Sequence, residues 1–367
     1  MSLNIARLVE GMYQIKASDL HLKVGFPPNM RVSSKMTPVK HPHVTDDDMT
    51  ALVREIVPAR LQDDLRKNGA VDFAYSLPDE SGRCRVAAFH QREHVSMTFR
   101  RISMIIPTMD DLNLPEVVKT FIDISRGLFL VTGITGSGKS SSLAAMVQAV
   151  NTTRRGHIIT IEDPIEYLFP AEGLCLINQM EVGTDTPSFG QAMRHILRCD
   201  PDIILIGEMR DRETVETAIQ AVDTGHMVFS TLHTSDAKQT VNRILNFFDN
   251  TEEKMILELL SNNLYALISQ RLLPRCDTPG VIPACEILVN IPIVTKLIRE
   301  GRIDDIQQVL KNGDKGMQSF DMALASLVKA NKISLETALA ESSDASSLHR
   351  LIKGVSSAGD RAGLIGF

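Results

Sequence analysis

Up to about Ile105 the apolar positions of this chain keep changing period. From Leu3 to Ile15 they recur at helical spacing, and Ser18-Asp-Leu-His-Leu-Lys-Val24 alternates as a half-buried strand should, ending at Pro27-Pro28. Thr45-Asp-Asp-Asp48 supplies a capping residue and an acidic first turn, so a helix is predicted there, and Pro58 opens another. Three strand-like runs follow, at Ala70–Ser76, Arg83–His90 and Val95–Ile102. The pattern predicts a small α+β domain over residues 1–105. Ile106-Pro-Thr-Met-Asp-Asp-Leu-Asn-Leu-Pro115 is rich in breakers, which predicts a linker over 106–125 and a hinge.

From about Arg126 the pattern is different. Nearly continuous apolar runs, Leu128–Thr132, His157–Glu162, Cys175–Asn178, Ile203–Gly207 and Met227–Leu232, alternate with helical stretches. Helices are predicted after the first run, around Ser188–Arg198 and over Asp211–Asp223. Such alternation implies an α/β fold with a largely parallel sheet covered by helices. We assign this core to residues 126–290. Residues 291–367 read as mostly helical and polar, with boundaries at Gly301, Gly313 and Gly316, and with a loosely ordered tail over Gly354–Phe367. No internal repeat or low-complexity segment is evident.

Composition narrows the function classes. The chain has 367 residues and a net charge of −6, so no strong field favours nucleic acid or an anionic membrane surface. Five scattered cysteines (Cys84, Cys175, Cys199, Cys276, Cys285) without a C-x-x-C pair argue for reduced thiols in a cytosol, against a disulfide framework or a zinc site. No apolar stretch approaches a membrane span and no signal-peptide core is visible, so membrane work is expected to go through a partner.

Between the first core strand and its helix stands Gly133-Ile-Thr-Gly-Ser-Gly-Lys-Ser140, the pattern G-x-x-x-x-G-K-[ST] in the strand–loop–helix context that it needs. Gly133, Thr135, Gly136, Ser137, Gly138, Lys139, Ser140 and Ser141 are the expected phosphate-binding residues. Backbone N–H groups and the positive helix end attract the phosphates, Lys139 reaches the β- and γ-phosphates, and Ser140 is the expected Mg²⁺ ligand.

Hydrolysis also needs oriented water and neutralised charge. Asp202-Ile-Ile-Leu-Ile-Gly-Glu208 resembles a Walker B segment, with Glu208 as the residue that polarises water, although Gly207 stands where an Mg²⁺-binding Asp is usual. Ile159-Thr-Ile-Glu-Asp-Pro-Ile-Glu166 offers Glu162, Asp163 and Glu166 at another strand end. Gly225-His-Met-Val-Phe-Ser-Thr-Leu-His-Thr234 is bounded by His226 and His233, which a period-two strand places on opposite faces. Arginines suited to phosphate recognition are Arg83, Arg85, Arg92, Arg100 and Arg101 in the first domain, and Arg194, Arg198 and Arg210 in the second.

Together these motifs resemble those of the type IV pilus retraction ATPases, the PilT/PilU family within the type II/IV secretion ATPases. Matching segments run from Ser18-Asp-Leu-His through the phosphate loop, Ile161-Glu-Asp-Pro-Ile-Glu-Tyr167, Leu197-Arg-Cys-Asp-Pro-Asp202 and Gly207-Glu-Met-Arg-Asp211 to Gly316-Met-Gln-Ser-Phe-Asp321. The resemblance implies a PAS-like N-terminal domain, a RecA-like P-loop core and a hexameric ring holding ATP between domains. It also implies roles for Glu162, Glu166, Glu208, His226 and His233, with Arg85 and Arg100 as the first-domain arginines. ATP and Mg²⁺ follow as cofactors. The implied partners are other copies of the chain, a paralogous pilus ATPase and an inner-membrane platform protein, which would hold the protein at the cytoplasmic side of that membrane. Direct membrane insertion and nucleic acid are not expected.

Three segments depart from the retraction motors. Where these usually read Ala-Ile-Arg-Asn-Leu-Ile-Arg-Glu, this chain reads Ile293-Val-Thr-Lys-Leu-Ile-Arg-Glu300; Arg85-Val-Ala-Ala-Phe-His-Gln-Arg92 and Gly316–Leu324 are closer to the accessory, PilU-like branch. The expectation is therefore a motor for pilus retraction, with an accessory role or a nucleotide-gated adaptor of little hydrolysis as the alternatives. A small-molecule kinase and a DNA-translocating ring are disfavoured.

Overall fold

In the computed structural model the described residues are 3–79 and 81–354, so most of the tail expected to be loosely ordered lies outside them. The chain divides into two units. One runs to Ile105 and takes in Glu166–Leu168; the other comprises Ile106–Ile165 and the chain from Phe169 onward.

The first unit opens with α1 (Ile5–Gln14), whose Ile5, Leu8, Val9 and Met12 are buried. Then come β1 (Asp19–Lys23), β2 (Asn29–Val32), β3 (Lys35–Pro38), α2 (Asp46–Ile56), α3 (Ala59–Asn68), β4 (Ala70–Ser76), β5 (Arg83–Gln91) and β6 (His94–Arg101). A capping box fixes the start of α2: Thr45 accepts from the Asp48 amide and the Asp48 carboxylate accepts from Thr45. The strands form an antiparallel sheet in the order β3-β2-β1-β6-β5-β4.

Residues 106–125, read from the sequence as a linker, are packed into the second unit. They hold α4 (Glu116–Lys119), and Met109, Leu114, Val118, Phe121 and Ile122 are buried in one core with Phe129 and Val131. Next come β7 (Gly127–Thr132), α5 (Lys139–Thr153), β8 (Gly156–Glu162), β9 (Cys175–Glu181), α6 (Phe189–Ile196), β10 (Ile203–Ile206), α7 (Arg212–Asp223) and β11 (Met227–Leu232). These are followed by α8 (Ala237–Leu245), α9 (Glu253–Asn263), β12 (Leu264–Pro274) and β13 (Val281–Val289). The short helices α10 (Pro292–Arg299), α11 (Ile306–Leu310), α12 (Phe320–Lys329), α13 (Leu335–Glu341) and α14 (Ala345–Lys353) complete the described chain.

The sheet order is β13-β12-β7-β11-β10-β8-β9. Every neighbouring pair is parallel except β12 with β13, so the largely parallel sheet is as expected. Its central strands are buried on both faces, which is why they read as unbroken apolar runs. Leu128 and Leu130 enter the core beneath α6 to α10, whereas Phe129 and Val131 enter the core shared with α5 and residues 109–122. In this unit the sequence reading did not separate α8, α9 and the antiparallel β12–β13 hairpin.

Candidate nucleotide site

The loop between β7 and α5 is shaped by contact as well as by glycine freedom. Gly133 has a φ of +147°, and a Cβ there would run into the Ser137 hydroxyl and the Gln270 carbonyl oxygen. Only glycine fits that approach. Beyond it α5 begins at Lys139 behind Gly138, which offers no side-chain cap. The Ser137 hydroxyl is buried without a hydrogen-bond partner, and Lys139, itself buried, turns its ammonium onto the carbonyls of Gly133 (2.9 Å) and Ile134 (3.1 Å). An uncapped helix start, an orphaned hydroxyl and a cation in one loop suit a bound anion such as a phosphate chain. Thr135, Gly136 and Ser140 are exposed around this loop, Gly138 is partly buried ahead of Lys139, and Ser141 is half-buried behind it.

Beyond β11, the neighbour of β7, a second cluster forms where β10 ends. Glu208 is nearly enclosed, with 18% of its side chain exposed; its Oε2 accepts from Arg210 Nε at 2.7 Å and its Oε1 lies 3.3 Å from His233 Nε2. Arg210 also reaches Asp163 Oδ2 at 3.0 Å, so one guanidinium joins two carboxylates from different strand ends. The hydrogen bond to Glu208 and the two negative charges raise the Arg210 pKa above its ordinary value. Gly207 is held from both sides: its amide donates to the Ile161 carbonyl and its carbonyl accepts from Thr231 Oγ1. A Cβ at Gly207 would lie 3.2 Å from the Ile161 oxygen and 3.3 Å from the Glu162 Cα, so an aspartate there would crowd the backbone of β8. Glu208, Arg210, His233, Thr234, Gln239 and Arg243 line part of a cleft of about 440 Å³.

Residues 6–344 match the type II/IV secretion system proteins. The chain belongs to this family. It is 39% identical over 352 residues to the type IV pilus ATPase PilU of Pseudomonas aeruginosa, covering 96% of this chain and 92% of that protein. It is 41% identical over 337 residues to the type IV pilus retraction ATPase PilT of the same organism, covering 92% and 97%. The crystal structure of the pilus retraction motor PilT with bound ADP superposes with a TM-score of 0.88 at 39% identity, over 95% of this chain and all of that one. The resemblance to PilT and PilU is thus borne out over most of the chain, and the α/β fold with it.

Within this family frame the other expected residues are placed unequally. Glu162 ends β8, where its Oε1 accepts from Thr160 Oγ1 (2.7 Å) and Gln179 Nε2 (3.2 Å). Glu166 is exposed and groups with the first unit. His226 stands before β11, with Nδ1 close to the Ala221 carbonyl and Thr224 Oγ1. It is at the opposite end of that strand from His233, roughly 20 Å away by strand rise, so the structure does not bring the two histidines together.

Arg85 and Arg100 are directly opposed on β5 and β6, in a transverse row that continues to Asp19 and Arg31. Asp19 is buried and accepts from Arg100 Nε at 3.0 Å, and Arg85 lies 3.8 Å from Asp72. The altered window Ile293–Glu300 forms most of α10, which buries Val294, Leu297 and Ile298 and sends Arg299 to Asn262. Arg210, expected from the sequence as a phosphate-recognising arginine, is bonded instead to Glu208 and Asp163, so Asp163 serves here as a carboxylate partner of that guanidinium.

Proposed function

We propose that this chain is an ATP-hydrolysing motor subunit of type IV pilus retraction, acting as a homohexamer of PAS-like and RecA-like domains on the cytoplasmic side of the inner membrane. The observation that carries the reading is the uncapped start of α5 with the orphaned Ser137 hydroxyl, facing the same sheet end as Glu208 and His233. On this reading the amides around Lys139 hold the phosphates and Glu208 draws the proton from a water attacking the γ-phosphorus, as the β–γ bridge breaks toward ADP. His233 orients Glu208 and reports the γ-phosphate, Glu162 and Glu166 assist around the water, and His226 serves elsewhere on the strand. Arg85 and Arg100 contribute positive charge in the assembled ring.

Mg²⁺ is proposed on Ser140, phosphate oxygens and water, with carboxylates in the second sphere; among the described residues no group of three His, Cys, Asp or Glu could hold a metal by itself. When bound it would neutralise phosphate charge. Among the described residues no helix is long and apolar enough to cross a membrane, so attachment through a platform protein is part of the same proposal.

The test is a pair of variants in a steady-state ATPase assay with a nucleotide-binding measurement. Lys139→Ala is expected to weaken ATP binding; Glu208→Gln is expected to retain ATP with turnover reduced about a thousandfold, within the range of a lost catalytic base and its electrostatics. Equal turnover in wild type and Glu208→Gln removes the assignment. Deletion in a piliated host then separates the roles: more surface pili with less twitching indicates retraction, whereas an accessory role shows only when a paralogous motor is weakened.

A further inference from the structure

The proposed hydrolytic site leaves one buried carboxylate unexplained. Glu286 on β13 is 2% exposed and lies among the apolar side chains that β13 turns toward α8 to α11. A carboxyl group in such a place is costly unless its oxygens are used. Both are. Oε1 accepts the backbone N–H of Ala237 at 2.8 Å, and Oε2 accepts from Gln307 Nε2 at 3.3 Å.

Ala237 is the first residue of α8, capped by Asp236, and the four residues before it, His233 to Asp236, join β11 to that helix. His233 therefore sits on a short segment with two anchors, the end of β11 and the start of α8. Within the segment Thr234 Oγ1 is 2.7 Å from Thr240 Oγ1, and Thr240 donates to the Asp236 carbonyl, so its downstream half moves with α8. What ties α8 itself to the sheet at this point is Glu286.

The register adds a second observation. Leu232, Thr132, Ser269 and Glu286 occupy one transverse row across β11, β7, β12 and β13. Thr132, immediately before the phosphate loop, donates to Ser269 Oγ at 2.9 Å, and Thr132 and Ser269 are wholly buried. One row of the sheet thus carries the base of the phosphate loop, the strand end leading to His233, and the carboxylate that holds α8.

We infer that Glu286 is a positioning residue for hydrolysis: by holding the first turn of α8 against β13 it fixes the His233–Asp236 segment, and so the approach of His233 to Glu208. This inference rests on the proposed role of Glu208 and names a further residue of the same machinery. Its oxygens are taken up by Ala237 and Gln307, and it acts through the amide of Ala237.

What matters is then a hydrogen-bond acceptor at the right reach, and three variants of the full-length protein separate this from charge and from bulk stability. Glu286→Ala removes the acceptor and Glu286→Asp keeps the carboxyl group but withdraws it by one methylene. Glu286→Gln keeps an oxygen at the original reach without charge. The expected result is kcat for ATP lowered about tenfold in Glu286→Ala and Glu286→Asp, and within about threefold of wild type in Glu286→Gln, the cost of one misplaced catalytic contact. KM for ATP should stay within about twofold, because the phosphate loop is untouched. In a His233→Ala background the same substitutions should lower kcat no further, as expected of residues acting as one unit.

A purely structural role would lower the melting temperature and the active fraction while leaving kcat per nucleotide-bound subunit unchanged, and that result overturns the inference. So does a Glu286→Gln variant slower than Glu286→Asp. If Glu286→Ala does not fold, the Asp and Gln pair still decides. Glu208→Gln run alongside keeps the two ideas apart. Wild-type turnover there removes the site assignment itself. Loss of turnover there, with full turnover in Glu286→Asp, removes only the role given to Glu286.

Discussion

The guanidinium of Arg210 holds the carboxylate of Glu208 through Nε at 2.7 Å. With Asp163 on its other branch and His233 beside the second Glu208 oxygen, it makes Glu208 the centre of a four-residue network. Such a network sets direction more than strength. A carboxylate with both oxygens engaged has few orientations left, and a proton acceptor must be aimed at its water.

The first prediction concerns the shape of that cation. Arg210→Ala should lower kcat about tenfold with little change in KM, because the carboxylate loses its alignment while the phosphate loop stays intact. Arg210→Lys should fail to restore it, since an ammonium lacks the planar fork whose separate branches meet Glu208 and Asp163 in a fixed geometry. Steady-state hydrolysis over a range of ATP concentrations is the measurement; a lysine variant at wild-type kcat would show that charge alone suffices.

Gly207 gives the second. Placing the aspartate that a Walker B strand usually carries, Gly207→Asp, does not build a cation ligand here. Its Cβ meets backbone of β8, the Ile161 oxygen at 3.2 Å and the Glu162 Cα at 3.3 Å, and backbone yields less than a side-chain tip. The expected cost is about 2 kcal/mol of stability from overpacking, with ATPase activity lowered and no gain in Mg²⁺ affinity. Urea melts and an Mg²⁺ titration of the ATPase check both. Unchanged stability would mean that the strand ends separate more easily than their hydrogen bonds suggest.

How much of this was legible follows from what the strands bury. β7, β10 and β11 are covered on both faces, so each is an apolar run closed by glycine or a polar residue, and the phosphate loop and Glu208 fall directly after such runs. The β12–β13 hairpin was hidden because Ile256, Leu257 and Leu260 of α9 lead into Leu264, Ala266 and Leu267 of β12 with no Gly or Pro between them. A run of that kind has no period to separate helix from strand. β3 was missed for the opposite reason, being exposed along its whole length and carrying no apolar alternation. Residues 106–125 look like a linker by their breakers, yet Val118 and Phe121 are buried; prolines shape that segment without loosening it. Arg210 stood two positions from Glu208, but only folding shows that Asp163 shares it.

The segment Gly316–Asp321 leads to the third prediction. Its aspartate is not at the nucleotide site. Asp321, on α12, is buried and accepts from Ser342 (2.7 Å) and Ser343 (3.2 Å), tying α12 to the turn before α14. Asp321→Ala strands two hydroxyls and should cost about 2 kcal/mol, typical of hydrogen bonds to a charged group. ATPase activity per folded subunit should remain near wild type. A loss of kcat without a loss of stability would instead give this segment a part in catalysis.

The fourth prediction follows from Glu286 and concerns stability rather than turnover. Burial pushes its carboxyl up to about 7 from an ordinary 4.5; the Ala237 amide, Gln307 and Arg271 oppose the rise, and Asp236 adds to it. Below about pH 4.5 the folded and unfolded chains both hold the proton. Between there and pH 7 the unfolded chain releases it while the folded chain keeps it, so the folded state binds more protons and stability falls as pH rises. The contribution is complete below the unfolded value and gone above the folded one, about 3 kcal/mol over that window. Other groups titrate as well, and the comparison with Glu286→Gln cancels them, since that variant removes this titration and leaves the other ionisable groups in place. The unfolding free energy of wild type minus that of Glu286→Gln, from urea melts at several pH values between 4.5 and 8, should therefore decline with pH and level off above 7. A difference that stays constant across the range would mean that the Glu286 carboxyl ionises as readily inside the protein as outside it.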